Sequence, residues 1–333
     1  MKHNINKYLW VFREKTETLL SSALPKYLSK AGYAEWVEND DYAYFPGDIP
    51  ILLVAHVDTV HKELPAVICF DKNTNSISSP TGIGADDRAG IAAILALVDM
   101  GHRPHILFCN EEECGGWGAR SAVKVLNAPD VRYIIELDRK GSGESVFYDC
   151  ANEDFEEYIN SFDFETEWGS FSDISFLCPV WEVAGVNLSV GYHSAHTLTE
   201  TLNLSEWNNA IEKVGKMLKS PPDNTFAYIP AEKHSYYGGY YGSQYDADYT
   251  NKRIFIYYTA SYFHALIGGS LELWEQFIRD RGADISCSVG SYIQEEADRY
   301  YDDHFFSFCD EEEEVEDDEE EEGEIIEKSA RCK

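Results

Sequence analysis

Residues 51–58 read I-L-L-V-A-H-V-D, and the reading of this stretch decides the fold. Ile51–Ala55 is a continuous apolar run rich in β-formers, the pattern of a strand buried on both faces of a sheet. It stops abruptly at His56 and Asp58, so an imidazole and a carboxylate arrive together at the rim. In open α/β sheets ligands bind outside the carboxyl ends of the strands, and a carboxylate beside an imidazole fixes its tautomer and strengthens it as a metal ligand. A lone histidine capping a strand is usually just a hydrogen-bonded histidine. Weight comes from repetition, because strands ending in acids or histidine recur downstream.

Working outward, Ile5, Leu9, Phe12, Leu19 and Leu20 space an amphipathic helix that is expected to end before Pro25. Tyr33 to Phe45 alternates loosely before Pro46-Gly47 and predicts a strand or hairpin. A short strand is expected around Val67 to Phe70, followed by a turn-rich stretch to Pro80. In T-G-I-G-A-D-D-R-A-G (81–90), glycines form a tight loop, Asp86 and Asp87 begin a helix, and Ile91 to Val98 is its apolar body. Pro104 to Cys109 is the next strand and runs straight into N-E-E-E-C-G-G-W-G (110–118). Ala119 to Leu126 reads as helix, Val131 to Leu137 as a buried strand ending in Asp138, and Ser145 to Tyr148 as an edge strand. Asp154 to Phe162 and Ser172 to Phe176 read as helices. Val186 to Val190 is a strand that leads to G-Y-H-S-A-H-T-L-T-E (191–200), and a helix over Ser205 to Lys219 stops at Pro221-Pro222. This alternation predicts an α/β fold, a three-layer α/β/α sandwich around a central mixed, mostly parallel sheet.

The chain has 333 residues, 44% of them apolar, ample for one large domain or two modest ones with a sizeable core. Its formal charge is −33, and 14 of the 60 acids fall between Asp310 and Glu327. Up to residue 309, 46 acids still face 24 lysines and arginines. That balance argues against nucleic acid as a partner and suits a protein that gathers cations. The eight cysteines form no C-x-x-C pair, no run of 18 apolar residues exists, and the start of the chain has no secretory pattern. The expectation is a cytoplasmic protein with reduced thiols and no membrane partner. Residues 1–222 are expected to form the catalytic domain. Residues 223–309, with their tyrosine-rich segment and helices near 261–278 and 293–308, are expected to pack on it. Residues 310–333 read as an acidic, disordered, solvating tail.

Strand ends and loops thus supply His56, Asp58, Asp86, Glu111 to Glu113, Asp138 and His196. Imidazoles and carboxylates without thiolate suit zinc, or the similar cobalt and manganese. Two such ions fit if one carboxylate bridges them, which leaves acids to act on water.

At these residues the chain resembles the co-catalytic dizinc exopeptidases, which include tripeptide aminopeptidases, glutamyl-aminopeptidase-like enzymes and carboxypeptidase G-like or deacylase relatives. H-V-D-T-V (56–60) looks like the family's His-x-Asp motif, and G-A-D-D-R-A-G (84–90) is close to the tripeptidase G-A-D-D-K-A-G. E-E-E-C-G (111–115), E-L-D (136–138), Ser172-Asp173 and H-T-L-T-E-T-L-N-L (196–204) resemble the later motifs. The resemblance covers roughly residues 45–220. It implies two divalent ions, most simply zinc, one on His56, Asp86 and Asp138 and the other on Asp86, Glu113 and His196. It further implies that Asp58 orients His56, and that Glu112 is the general base, taking a proton from a metal-held water and passing it to the leaving amine. His196 is favoured over His193 as the last ligand because Glu200 and Asn203-Leu204 follow it at the family spacing. The Asp86–Asp87 peptide is expected to be cis. Gaps from Asp58 to Asp86 and from Asp138 to His196 leave no room for the lid or dimerisation domain that many relatives carry, so a single catalytic domain is expected.

The function expected is hydrolysis of amide bonds, foremost by an aminopeptidase acting on short peptides. A deacylase of N-acyl amino acids, or a carboxypeptidase-like enzyme, is the close alternative, with Arg88, Arg120 or Arg139 to meet a substrate carboxylate. A catalytically idle metal-binding or interaction protein is the alternative from another class. It has no use for a spare base such as Glu112.

Overall fold

Four apolar strands in parallel carry the molecule, and the Ile51–Ala55 run lies at their centre. The structure is a computed structural model that describes residues 3–169 and 171–230. Its strands are β1 (Val37–Glu38), β2 (Tyr42–Phe45), β3 (Ile49–His56), β4 (Cys69–Asp71), β5 (Ser76–Ser78), β6 (Pro104–Cys109), β7 (Ile134–Arg139), β8 (Glu144–Val146), β9 (Glu165–Thr166), β10 (Gly185–Ser189), β11 (Tyr192–His193) and β12 (Thr201–Asn203). Its helices are α1 (Leu9–Arg13), α2 (Thr16–Thr18), α3 (Leu24–Lys30), α4 (Ala85–Asp99), α5 (Trp117–Val125), α6 (Glu153–Asn160), α7 (Ile174–Trp181) and α8 (Leu204–Lys219). The helices expected near 261–278 and 293–308, the tyrosine-rich stretch beyond residue 230 and the acidic tail lie outside the described residues.

The main sheet runs β1-β2-β6-β3-β7-β10-β8-β9. β6, β3, β7 and β10 are parallel, whereas β2 and β8 join antiparallel. Alternate residues of β3 feed both faces. Leu53 and Ala55 belong to the core beneath α4, against which α1 and α8 pack, while α5 and α7 cover the opposite face. The expected three-layer sandwich is therefore the observed one. From β3 the chain passes through α4 to β6 on one side, then returns through α5 to β7 on the other. Chain direction across the sheet reverses at β3, the kind of switch point that opens a crevice at strand carboxyl ends.

α4 lies close enough to the sheet to demand a glycine. A Cβ built on Gly90 would lie 2.1 Å from the Leu137 carbonyl oxygen. Gly90→Ala should therefore force α4 off β7 and cost about 1–3 kcal/mol. A lowered urea midpoint at constant m would show it, and an unchanged midpoint would refute the close approach.

Two local expectations are corrected, the N-terminal helix and the edge position of β8, while the short strand expected near Val67–Phe70 is found as β4. The N-terminal helix breaks at Glu14 and Lys15, both extended, and resumes through a π turn (Leu19–Ala23) and past Pro25 to Lys30. The buried Arg88 guanidinium takes the place of helical donors there, donating to the Val11 and Glu14 carbonyls at 2.7 and 3.0 Å. Pro25 follows directly on the π turn, at the second residue of α3, and the helix runs through it instead of stopping before it. β8 is not the edge of the sheet, since β9 pairs outside it. The Val67–Phe70 region supplies β4 to a second, antiparallel sheet of order β11-β12-β5-β4. Its other strands, of two or three residues, are too short for periodicity to reveal.

Residues 223–230 continue along the main body. Phe226 accepts from Ala184 N and donates to Arg132 O at 2.9 and 2.8 Å, and its ring joins Tyr133, Phe155 and Tyr158. Among the described residues, no helix is long and apolar enough to cross a membrane.

Candidate metal centre and active site

His56 ends β3 fully buried, with carboxylates on both ring nitrogens. Its Nε2 lies 3.2 Å from Asp86 Oδ1 and 3.4 Å from Asp138 Oδ1, and its Nδ1 lies 3.2 Å from Asp58 Oδ1. Its backbone N–H donates to Asp87 Oδ2 at 3.2 Å.

Asp86 occupies the loop-to-helix junction that follows Gly84, whose φ of 64° lies in the left-handed region that glycine tolerates. The Asp86–Asp87 peptide is cis, as expected. Asp86 is the hinge of the cluster: Oδ1 faces His56, and Oδ2 lies 3.2 Å from His196 Nε2. His196 Nε2 also lies 2.9 Å from Glu113 Oε1. One carboxylate thus stands between two groups of ligand type, His56 with Asp138 on one side and His196 with Glu113 on the other. His193 is elsewhere, 45% exposed and 2.6 Å from Glu206.

Asp58 links His56 to the acidic loop after β6, because its two oxygens accept the backbone N–H groups of Glu112 and Glu113 at 3.1 and 3.2 Å. That grip fixes the peptide between two adjacent glutamates, so their side chains diverge. Glu113 goes to His196, and Glu112 is buried beside the cluster. Glu111 is exposed and apart from it. All seven residues expected at the site, His56, Asp58, Asp86, Glu112, Glu113, Asp138 and His196, are brought to one place.

The electrostatics describe an anionic pit. Burial, then Asp86, push Asp138 up to about 7; burial, then Asp138, push Glu136 up to about 8. Burial also holds Glu112, Asp87 and Asp173 well above the usual carboxylate range. Burial works against charge on His56, but Asp138 and Asp58 outweigh it and hold its pKa well above normal. Contacts to Asp86 and Glu113 raise His196 to about 11. Burial would raise Asp86, yet the two histidines hold it below the usual range. Protons on imidazoles and carboxyls thus balance the charge where divalent cations would do so.

The donor set fits such cations. His56, Asp86 and Glu113 each offer an atom within 4.8 Å of the others, and no thiol is among them. Nor is the pit laid out for apolar burial: so many interior carboxylates persist only with partners.

Several supporting residues had no signal in the sequence. Tyr192 donates to Asp138 at its carbonyl and at Oδ1, 2.9 and 3.3 Å away. Ser172 donates to Asp138 Oδ2 at 3.3 Å and is itself held by Asn187 at 3.1 Å. His61 and Glu200 pair at 2.8 Å, and Glu200 also accepts the N–H groups of Gly84 and Asp86. Glu200 and Ser172 were visible beforehand, each as part of a motif; the roles of Tyr192, Asn187 and His61 were not.

The three arginines considered for a substrate carboxylate are engaged otherwise. Arg88 is buried and tied to the N-terminal segment, Arg139 pairs with Glu144 at 3.0 Å, and Arg120 donates to Gly115 O and lies 4.1 Å from the Phe176 ring centroid.

No protein-family model and no curated protein matches the chain in sequence. Solved structures do match the fold. Aminopeptidase PepT from Bacillus cereus superposes with a TM-score of 0.51 at 15% identity, covering 65% of this chain and 97% of the other. A tripeptidase from Staphylococcus aureus gives 0.51 at 16%, covering 65% and 96%. A TET aminopeptidase from a marine-sediment Thaumarchaeota archaeon gives 0.50 at 12%, covering 65% and 98%. At such identities the likeness establishes a shared fold, the one to which the sequence motifs point.

Proposed function

We propose that this chain, built on the fold of the co-catalytic zinc exopeptidases, hydrolyses amide bonds as an aminopeptidase of short peptides. The observation that carries the reading is the position of Asp86 between two ligand groups, with Glu112 buried beside them. His56, Asp86 and Asp138 would hold one divalent ion; Asp86, Glu113 and His196 would hold the second. When bound, two ions such as zinc, cobalt or manganese polarise a substrate carbonyl and lower the pKa of water.

The chain's own residues do the rest. Asp58 orients His56 and, through the Glu112 and Glu113 amides, sets the direction of both glutamates. Glu112 takes a proton from the attacking water at a carboxylate oxygen and delivers it to the leaving amine nitrogen, so that the amine departs neutral. Tyr192 and Ser172 keep the Asp138 carboxylate from rotating. Three structural neighbours carry aminopeptidase or tripeptidase in their names, which favours a free-amine peptide as substrate. Arg88, Arg120 and Arg139, the described arginines considered for a substrate carboxylate, are engaged elsewhere, which weakens the N-acyl amino acid alternative.

Metal content of the purified protein, measured beside hydrolysis of dipeptides, tripeptides and N-acyl amino acids with and without chelator, tests the reading. Near two equivalents of metal and chelator-sensitive cleavage of free-amine peptides are expected. Turnover confined to acyl amino acids would transfer the assignment to a deacylase, and a metal-loaded protein with no turnover would sink the hydrolase.

A further inference from the structure

His61 and Glu200 take no part in ligation or proton transfer as described, yet Glu200 is fully buried, in contact with the loop that carries Asp86. We infer that Glu200, fixed by His61, is a positioning residue that locks the bridging Asp86 to the segment bearing His196; this rests on the two-metal reading above. Glu200 Oε1 accepts Asp86 N–H at 2.9 Å, and Oε2 accepts Gly84 N–H at 2.8 Å while lying 2.8 Å from His61 Nε2. One carboxylate therefore gathers three separate loops: the one leaving β3, the one entering α4 and the one following β11.

The arrangement has a geometric consequence. Glu200 lies four residues after His196, and the intervening turn is tied by Thr197, which donates to Ser194 O at 2.8 Å and accepts Thr199 N–H at 3.2 Å. His196 itself has a φ of 64° and a side chain 51% exposed, so little packing holds it. Its 3.2 Å approach to Asp86 Oδ2 is set from behind, through Glu200 gripping the backbone of the same aspartate. Space for the brace is built in. A Cβ at Gly82 would lie 2.2 Å from the His61 ring, and Gly82 has a φ of 82° that a larger residue would rarely adopt.

Glu200→Gln keeps the shape but leaves one acceptor oxygen for two backbone donors. Outer groups that orient ligands typically cost about 10–100-fold in metal affinity or activity when lost. The expected result is about 10–100-fold weaker binding of zinc by calorimetry. A kcat lowered by a similar factor with KM held within about twofold should accompany it. Hydrogen exchange at the Gly84 and Asp86 amides should quicken while that of β3 and β7 is unchanged. His61→Phe, which preserves the ring, should move each readout the same way by less, and it carries the test if Glu200→Gln does not fold. Wild-type zinc affinity and amide protection in the variants would overturn the inference. Zinc binding and exchange need no substrate, so a wild-type protein that binds two ions but hydrolyses nothing would defeat the proposed reaction alone.

Discussion

Glu112→Gln is expected to lower kcat for peptide hydrolysis by about 10²–10⁴-fold while leaving the fold and the metal stoichiometry as they are. The amide matches the carboxyl in size, so packing is conserved, and Glu112 is not among the groups assigned to hold an ion. What is lost is the capacity to accept a proton. The geometry makes this substitution cleaner than its neighbour. Asp58 pins both backbone amides of the pair, so the variant side chain keeps its direction, and Glu113 stays 2.9 Å from His196. Glu113→Gln, by contrast, should fail through weakened metal binding. The contrast is the measurement: calorimetric titration with zinc beside steady-state kinetics for both variants. Glu112→Gln retaining activity within tenfold of wild type would remove Glu112 from the proton-transfer role. Loss of metal in that variant would make it a ligand instead.

Why so much of this site is legible in sequence has a physical reason. Apart from His196, the rim residues lie at or just beyond a buried apolar strand or a glycine loop, so chain order reports spatial position. His56 closes β3, Glu112 and Glu113 follow β6, and Asp138 lies in β7. Parallel strands with right-handed crossovers must place those ends on one rim. What escapes is whatever depends on contacts between distant loops. His61 meets Glu200 across 139 positions and Tyr192 meets Asp138 across 54, and neither pairing leaves a local pattern. The N-terminal helix fails for the same reason. Apolar spacing reports amphipathicity correctly, but a buried arginine 70-odd residues away supplies donors that let the helix break. β5, β11 and β12 leave no local signal, since no strand of that sheet exceeds three residues. His193 and His196 are separable by motif spacing, and the structure separates them by place: one meets Glu206 at the surface, the other meets Asp86 and Glu113.

Removing metal should reverse the sign of the protein's response to pH. In the metal-free chain the raised carboxyls hold their protons more tightly folded than unfolded. Their stabilising contribution is full below the ordinary carboxylate pKa and fades as pH rises through about 7 for Asp138 and about 8 for Glu136. His56 and His196 act in the same direction, since a raised imidazole pKa stabilises below the ordinary 6.5 and is lost through about 11 for His196. Asp58 and Asp86, both depressed, already contribute fully in this range and would weaken only in acid. Between about pH 5.5 and 8.5 the groups of the site that change pull the same way; below about 6.5 they are opposed by His3, His102 and His105, whose pKa values burial lowers. The metal-free protein should therefore melt at a lower temperature at about pH 8.5 than at about pH 5.5, with the exposed His196 contributing least because solvent screens it. With two ions bound the argument inverts: ligands must be deprotonated, so affinity and the stability linked to it climb with pH. Melting curves at the two pH values, in chelator and in excess zinc, should therefore cross. Parallel curves would mean that no ion neutralises this pit, and the carboxylates of β7 and of the loops after β3 and β6 would need another partner.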